Sequence, residues 1–397
     1  MLNVAFIYPN RTPYLAYWLG ILRSALKEVS SAESEINLVL LASSEESYGW
    51  DSPARLPVGG GREIVISNEW KSRNWFVSSL KLLRALAKMR PRIIFICGYE
   101  QPESLCALFY AKVFRVPIVL MIDSKFNDSE RFRRNARIEF FKSLIVARYS
   151  GVLCPSAEHS EYLMFLGAKG EKVMYPGFDL IDADQCFQNA QDDAIDTYVD
   201  SFCGLEPGQS YLLFIGRLVD KKNIITVLEA YAMYRATHDG SKLSSPLQKL
   251  VICGSGNLKD DIDSYILEKG LISSVFIMPW LKYESIPRLM SRATCLILAS
   301  VFDQWGNVVP EALAVGTPVL VSNKCGSHNL VQNGINGFTF NPHDSRHLAK
   351  LMGLVTLDRT LVERMRSNAR SSLSKFTGDE LRVTYKRMLT TVGYPSR

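Results

Sequence analysis

Short apolar runs alternate along this chain with longer segments in which hydrophobic residues recur every three or four positions. The first kind predicts buried strands and the second amphipathic helices. In the first half, strands are expected at Asn3–Tyr8, Ile36–Leu41, Glu63–Ser67, Arg92–Cys97, Pro117–Ile122, Val152–Cys154 and Lys172–Met174. Helices are expected between them at Tyr14–Val29, Asn74–Met89, Pro102–Val113, Ser129–Arg148 and Ala157–Leu166. Strands separated by helices of this length give right-handed crossovers and a parallel sheet. The alternation stops between Pro176 and Gly208, an acidic, apolar-poor stretch bounded by Pro-Gly pairs; 179–208 is expected to be a linker holding one short helix. It resumes with strands at Tyr211–Ile215, Lys249–Cys253, Val275–Met278, Thr294–Ala299, Pro318–Ser322 and Gly337–Phe340, with a polar loop at His238–Pro246. The expected fold is α/β: two doubly wound, Rossmann-like domains, 1–178 and 209–376, facing a central cleft. A closing helix over 377–397 is expected to pack back towards the first of them.

Composition agrees with two well-filled cores. Of 397 residues 47% are hydrophobic and 22% charged, which excludes a disordered or fibrous chain. No apolar run approaches the roughly 18 residues of a membrane span. The chain opens directly on an apolar strand, without a basic segment and signal-peptide core, so a soluble, cytoplasmic protein is expected. The eight cysteines form no C-x-x-C pair, and Cys97, Cys154, Cys253 and Cys295 fall in strand-like runs where a thiol acts as a small hydrophobe. No metal site is expected from them or from the five scattered histidines. The net charge of +6 is unevenly spread: between Trp70 and Arg148, sixteen Lys and Arg face six Asp and Glu, and between Tyr149 and Asp200 two face ten. The basic segment reads either as solvated helix faces or as a surface for an anionic partner.

Three segments carry candidate chemistry. FIGRLVDKKN (Phe214–Asn223) ends a strand at Gly216 and sets Arg217 and Lys222 at the turn into a helix, a combination suited to a diphosphate. ICGSGNLKD (Ile252–Asp260) has G-x-G after a strand, with Gly254 at the turn. Lys259 stands where a dinucleotide fingerprint needs its third glycine, so a nicotinamide enzyme is disfavoured. LASVFDQWGNVVPEALAVGTPVLVS (Leu298–Ser322) puts Asp303 in a loop and Glu311 one turn into the following helix. Sugar hydroxyls can donate to these carboxylates, and the amides of Gln304, Trp305, Gly306 and Asn307 can donate to a ligand.

The last segment resembles the donor-site signature of the retaining glycosyltransferases of family 4, which have the GT-B fold: Glu, seven residues, Glu, then A-x-A-x-G-x-P-V. Here it reads Asp303, seven residues, Glu311, ALAVGTPV. IGRLVDKKN resembles that family's phosphate loop, LVICGSGNLKDDI its next strand–turn–helix, VFIMPWLKYESIPRLMSRATCLILAS the run with the base-binding turn (Leu281), and CGSHNLVQNGINGFTF the element after the signature. CGYEQPESLCALFYAKVFRVPIVLMIDS and MYPGFDLIDADQCF resemble bacterial members of the family less distinctively. There are three departures. Asp303 replaces the commoner Glu, Asn10 and Arg11 stand where paired glycines are frequent, and Asp123 stands where many relatives carry a His.

The resemblance implies a nucleoside-diphosphate-sugar donor as co-substrate, a carbohydrate or lipid-linked acceptor, and transfer with retained configuration in cell-surface polysaccharide or glycolipid assembly. It makes 1–178 the acceptor domain and 209–376 the donor domain. It implies that Arg217 and Lys222 stabilise the leaving diphosphate without a metal or cofactor, that Asp303 and Glu311 hold sugar and ribose, and that Asn10, Glu100 and Asp123 line the acceptor side. The arginines at 131, 133, 134 and 137, beside Phe132, Phe140 and Phe141, suggest peripheral contact with an anionic inner membrane face. No nucleic-acid motif accompanies the basic patch. A sugar-nucleotide epimerase or phosphorylase on the same fold, or a non-catalytic binding partner, remains as the alternative.

Overall fold

The structure, a computed structural model, describes residues 2–43, 61–126, 135–238 and 247–394. Among the described residues thirteen strands form two wholly parallel sheets. The first contains β1 (Leu2–Tyr8), β2 (Ser34–Leu40), β3 (Glu63–Val65), β4 (Ile93–Cys97), β5 (Ile118–Met121), β6 (Gly151–Leu153) and β7 (Val173–Met174), in the order β3-β2-β1-β4-β5-β6-β7. The second contains β8 (Leu212–Ile215), β9 (Leu250–Cys253), β10 (Val275–Met278), β11 (Cys295–Leu298), β12 (Val319–Ser322) and β13 (Gly337–Phe340), in the order β10-β9-β8-β11-β12-β13. Central strands such as IIFIC and LLFI are apolar along their whole length because helices cover both faces of a parallel sheet.

The helices are α1 (Leu15–Val29), α2 (Trp75–Met89), α3 (Pro102–Val113), α4 (Ala136–Val146), α5 (Ala157–Phe165), α6 (Ala183–Asn189) and α7 (Asp196–Cys203) in the first half of the chain. They continue as α8 (Ile224–His238), α9 (Lys259–Glu268), α10 (Ile286–Arg292), α11 (Val308–Ala314), α12 (Ser345–Leu357), α13 (Arg359–Ala369) and α14 (Gly378–Thr391). Several start on the side chains that sequence favours there: Asn74 accepts from the Phe76 and Val77 amides, Asp182 from Gln185 and Asp358 from Leu361. Of the basic segment expected to be helical over 129–148, α4 is described; Arg131, Phe132, Arg133 and Arg134 lie outside the described residues, as do residues 239–246 of the polar loop expected at His238–Pro246.

Contacts divide the chain into two units. One holds residues up to Phe126, those from 135 to Leu180 and those from Phe376 onward; the other is built from Ile181–Lys375. In the first unit, α2, α3 and α5 bury Leu82, Leu86, Leu108 and Leu163 on one face of the sheet. The other face is covered by α1 and α14, packed on each other, with Trp18 against Phe178 and Tyr385 against Phe95. Trp18 Nε1 donates to the Leu180 carbonyl at 2.7 Å, and Glu28 on α1 pairs with Arg382 and Lys386 on α14. The stretch expected to be a linker is mostly part of the second unit. Its acidity has a local cause, since Asp196 and Asp200 are the partners of Arg288 and Arg292 on α10, while Val199 and Cys203 are buried. The hydrogen bonds from Arg288 are the main reason the Asp196 carboxyl is held below its ordinary range.

Tyr385 and Met388 cover the first sheet although nearly 200 residues of the other unit precede them in sequence. Ending the chain at Lys375 should therefore expose the flank of α1 and the sheet face holding Phe95. Limited proteolysis with peptide mapping should show cleavage across residues 2–180 while 181–375 stays protected. Equal protection of the first unit would show that α14 is dispensable to it.

Candidate functional site

The second sheet changes direction between β8 and β11. From β8 the chain moves outward to β9 and β10, then returns beside β8 and proceeds to β12 and β13. Loops leaving the carboxyl ends of two such strands diverge and leave a ligand crevice. These are the loops carrying Arg217 and Lys222 after β8, and Asp303 to Asn307 after β11.

The two loops are joined at three points. Lys222 Nζ donates to Asp303 Oδ2 at 2.5 Å, although 81 residues separate the two. The Val301 amide donates to the Lys221 carbonyl at 2.9 Å. Asn223, in left-handed conformation (φ 56°), donates its side-chain amide to the carbonyls of Ala299 and Pro342 and accepts from Thr226. Burial alone would raise the pKa of the Asp303 carboxyl; the Lys222 and Lys221 charges, with hydrogen bonds from Lys222 and Ser300, outweigh it and leave the carboxyl below its ordinary range. The site is thus preset with one carboxylate ionised against one ammonium. The first turn after β8 is a 3₁₀ turn at Asp220–Lys222, and α8 starts one residue beyond Asn223.

Glycine is required where backbone meets backbone. A Cβ on Gly254, whose φ is 154°, would lie 2.0 Å from the Gly216 carbonyl oxygen. The strand ends after β8 and β9 therefore interlock, with Gly216 N–H donating to Cys253 and Leu218 N–H to Ser255. Gly306 (φ 91°) sits against Leu298 and Ser327. The Asn307 Oδ1 and the Ser327 Oγ next to this turn are buried and have no protein hydrogen-bond partner, which leaves polar atoms for a ligand.

Glu311 lies in the first turn of α11, almost fully buried, and accepts from the Tyr283 hydroxyl at 3.1 Å. Burial raises the pKa of the neighbouring Cys186 thiol on α6, and the Glu311 carboxylate raises it further. Tyr283 lies two residues after Leu281, on the turn after β10, so this turn meets α11 at Glu311. Tyr283, Asn223, Ser300 and Ser327 were not singled out from the sequence. A lone Tyr, Asn or Ser has no distinguishing pattern, and their partners are distant in the chain.

The acceptor-side candidates lie in the first unit, at the carboxyl ends of three adjacent strands: Asn10 after β1, Glu100 after β4 and Asp123 after β5. Asn10 is buried and Glu100 exposed. Burial first, then Asp179 and Asp123, raises the pKa of the Cys97 thiol; burial with the same groups does so for the Tyr8 hydroxyl. Asp123 therefore belongs to a cluster with Tyr8, Cys97 and Asp179. Arg11 pairs with Glu63. Among the described residues no group of three or more His, Cys, Asp or Glu is placed to hold a metal ion.

Comparison with known proteins fits this geometry. Residues 202–372 match the family described as Glycosyl transferases group 1, so the chain carries a domain of that kind. An uncharacterized glycosyltransferase of Methanocaldococcus jannaschii is 26% identical over 179 residues, 45% of this chain and 44% of that protein. The UDP-Gal:alpha-D-GlcNAc-diphosphoundecaprenol alpha-1,3-galactosyltransferase of Escherichia coli is 27% identical over 159 residues, 40% of this chain and 39% of that protein. The chain thus spans about half or less of the length of these curated relatives. The Anabaena protein HepE, solved in complex with UDP and glucose, superposes with a TM-score of 0.72 at 16% identity, covering 98% of this chain and all of its own. The fold is GT-B: two parallel-sheet Rossmann-like domains.

Removing Lys222 tests the electrostatic design. In the native protein the lowered Asp303 pKa contributes stability that is complete above the ordinary carboxylate range and fades as pH falls through the folded pKa. In Lys222→Met burial dominates and the Asp303 pKa should rise above its unfolded value. That variant should lose about 3 kcal/mol at neutral pH and recover part of it as pH falls towards 5. Thermal melts at pH 7, 6 and 5 check this; a deficit independent of pH would refute it.

Proposed function

We propose that the protein is a glycosyltransferase that moves a sugar from a nucleoside-diphosphate-sugar donor to an acceptor hydroxyl with retained configuration. The observation that carries the proposal is the joining of two sequence motifs at one point: Lys222 of the basic loop meets Asp303 of the acid–glycine loop where the second sheet changes direction. Arg217 and Lys222 bind the diphosphate and take up the charge that develops when the bond from sugar C1 to the phosphate oxygen breaks. The acceptor oxygen forms its bond to C1 on the same face. Its proton passes to the departing phosphate oxygen, so no enzymic nucleophile is needed and the two cations serve in place of a metal. Glu311 accepts the ribose hydroxyls, and the amides of Gln304 to Asn307 hold sugar and phosphate. Asp303 fixes Lys222 through one oxygen, leaving the other for the sugar. Gly216, Gly254 and Leu281 shape the donor pocket; Asn10, Glu100 and Asp123 orient the acceptor.

The acceptor class proposed is a carbohydrate or lipid-linked glycan of surface polysaccharide or glycolipid assembly; the name of the E. coli relative specifies a diphosphoundecaprenol-linked acceptor. All eight cysteines are free, which supports a cytoplasmic location. No helix among the described residues is long and apolar enough to cross a membrane. The basic Trp70–Arg148 segment supports peripheral contact with an anionic inner face.

A panel of nucleoside-diphosphate sugars scored for diphosphate release and product anomer, starting with UDP-glucose, tests the proposal. Arg217→Ala and Lys222→Ala should each lower turnover about 100-fold or more, and chelators should leave the rate unchanged. Glu311→Gln should weaken UDP and UDP-sugar equally by calorimetry, because the contact is to ribose. Near-wild-type rates in both cation variants would remove the diphosphate assignment; a chelator-sensitive rate would remove the metal-free mechanism.

A further inference from the structure

The outward faces of α2 and α3 are unusually apolar for a protein surface. On α3, Ala107, Leu108 and Ala111 face the core, yet Leu105, Phe109 and Val113 repeat at the same helical spacing on the exposed side. Phe109 is 67% exposed and the following Phe114 61%. The neighbouring α2 exposes Trp75, Phe76 and Leu80 in the same way. A helix apolar on both sides is usually covered on both.

Where these two helices end, the unit has a cavity of about 910 Å³, lined by Arg90, Arg92 and Arg115 together with Tyr110, Phe114 and Pro117. All three arginines are exposed, and none makes an ion pair among the described residues. Arg90 and Arg115 hold left-handed backbone (φ 50° and 55°) at the ends of α2 and α3, where glycine or asparagine would be unstrained. Nearby, the pKa of the Lys112 ammonium is lowered by partial burial and by the like charges of Lys172 and Arg148. Positive charge is therefore concentrated beside an apolar face. A second copy docking through this face would bring cation against cation across a two-fold axis. An anionic bilayer complements both features at once: acyl chains receive the aromatic stripe and phosphates meet the guanidinium groups.

We infer that the α2–α3 face docks on an anionic phospholipid bilayer and that the Arg90–Arg92–Arg115 cavity receives a lipid phosphate. This deepens the functional reading, on which it rests for its purpose of meeting a lipid-linked acceptor, but the binding itself is independent of turnover.

The full chain is mixed with vesicles of phosphatidylcholine alone or with 30% phosphatidylglycerol (roughly the charge of an anionic leaflet) and the bound fraction is measured by flotation. Wild type should bind the anionic vesicles, lose binding as salt rises from 50 to 500 mM, and ignore phosphatidylcholine. Arg90→Asn/Arg92→Gln/Arg115→Asn should weaken the partition about 100-fold, as expected for three cations worth about fivefold each. Phe109→Ser/Val113→Ser, which leaves every charge in place, should weaken it at least tenfold. Both variants should retain the wild-type melting temperature and UDP affinity. Loss of UDP binding in wild type would instead fail the glycosyltransferase reading and leave the vesicle result standing. The inference is overturned if wild type ignores anionic vesicles at 50 mM salt, or if either variant binds like wild type. It is also overturned if inorganic phosphate raises the melting temperature through the three arginines without vesicle binding, or if the serine variant converts a dimer to a monomer.

Discussion

The ion pair between Lys222 and Asp303 is the constraint on which the donor half of this molecule depends. A carboxylate buried at the end of a parallel sheet would protonate, and a buried ammonium would lose its proton, unless each had the other. Paired, both stay charged, and the loops after β8 and β11 are held at a fixed separation. Other local features hold the same region of the sheet. Asn223 adopts left-handed backbone to bring its amide to Ala299 and Pro342, and Gly254 gives up a side chain so that Gly216 can approach. A site whose charges are already in place needs little reorganisation when negative charge develops on a ligand.

The Asp at 303, where the family resemblance leads one to expect Glu, takes on meaning here. The shorter side chain still reaches Lys222 at 2.5 Å, because the loop bends back so that Asp303 bridges to Cys325 and its carbonyl accepts from Gly326. The carboxylate is anchored from behind by Ser300, which the sequence placed only at a strand end.

What could be read in advance was whatever is periodic or locally patterned. Short apolar runs located the strands of both sheets to within a residue or two, because central parallel strands have no polar face to confuse the signal. Arg217, Lys222, Asp303 and Glu311 could be put forward as candidates because residue type and spacing coincide with glycine turns. Tyr283 and Asn223 could not, since their meaning lies in partners 28 and 119 residues away. The 179–208 segment misled for a related reason. Its aspartates read as solvated linker, whereas Arg288 and Arg292, nearly a hundred residues later, make them structural. The exposed aromatics of α3 were hidden altogether, because a helix that is apolar on both sides looks the same in sequence as one buried on both.

The chain visits the first unit twice, at its start and again from Phe376, with the whole second unit made in between. A ribosome adding about 5 to 20 residues per second takes some 10 to 40 s to cross that interval. Throughout it, the sheet face carrying Phe95 has been synthesised together with α1, but α14, the other half of its cover, has not. The second unit, contiguous in sequence, can close while the first waits with an open apolar face. Vectorial synthesis thus reverses the order of completion, and the domain made first is the one most in need of a chaperone.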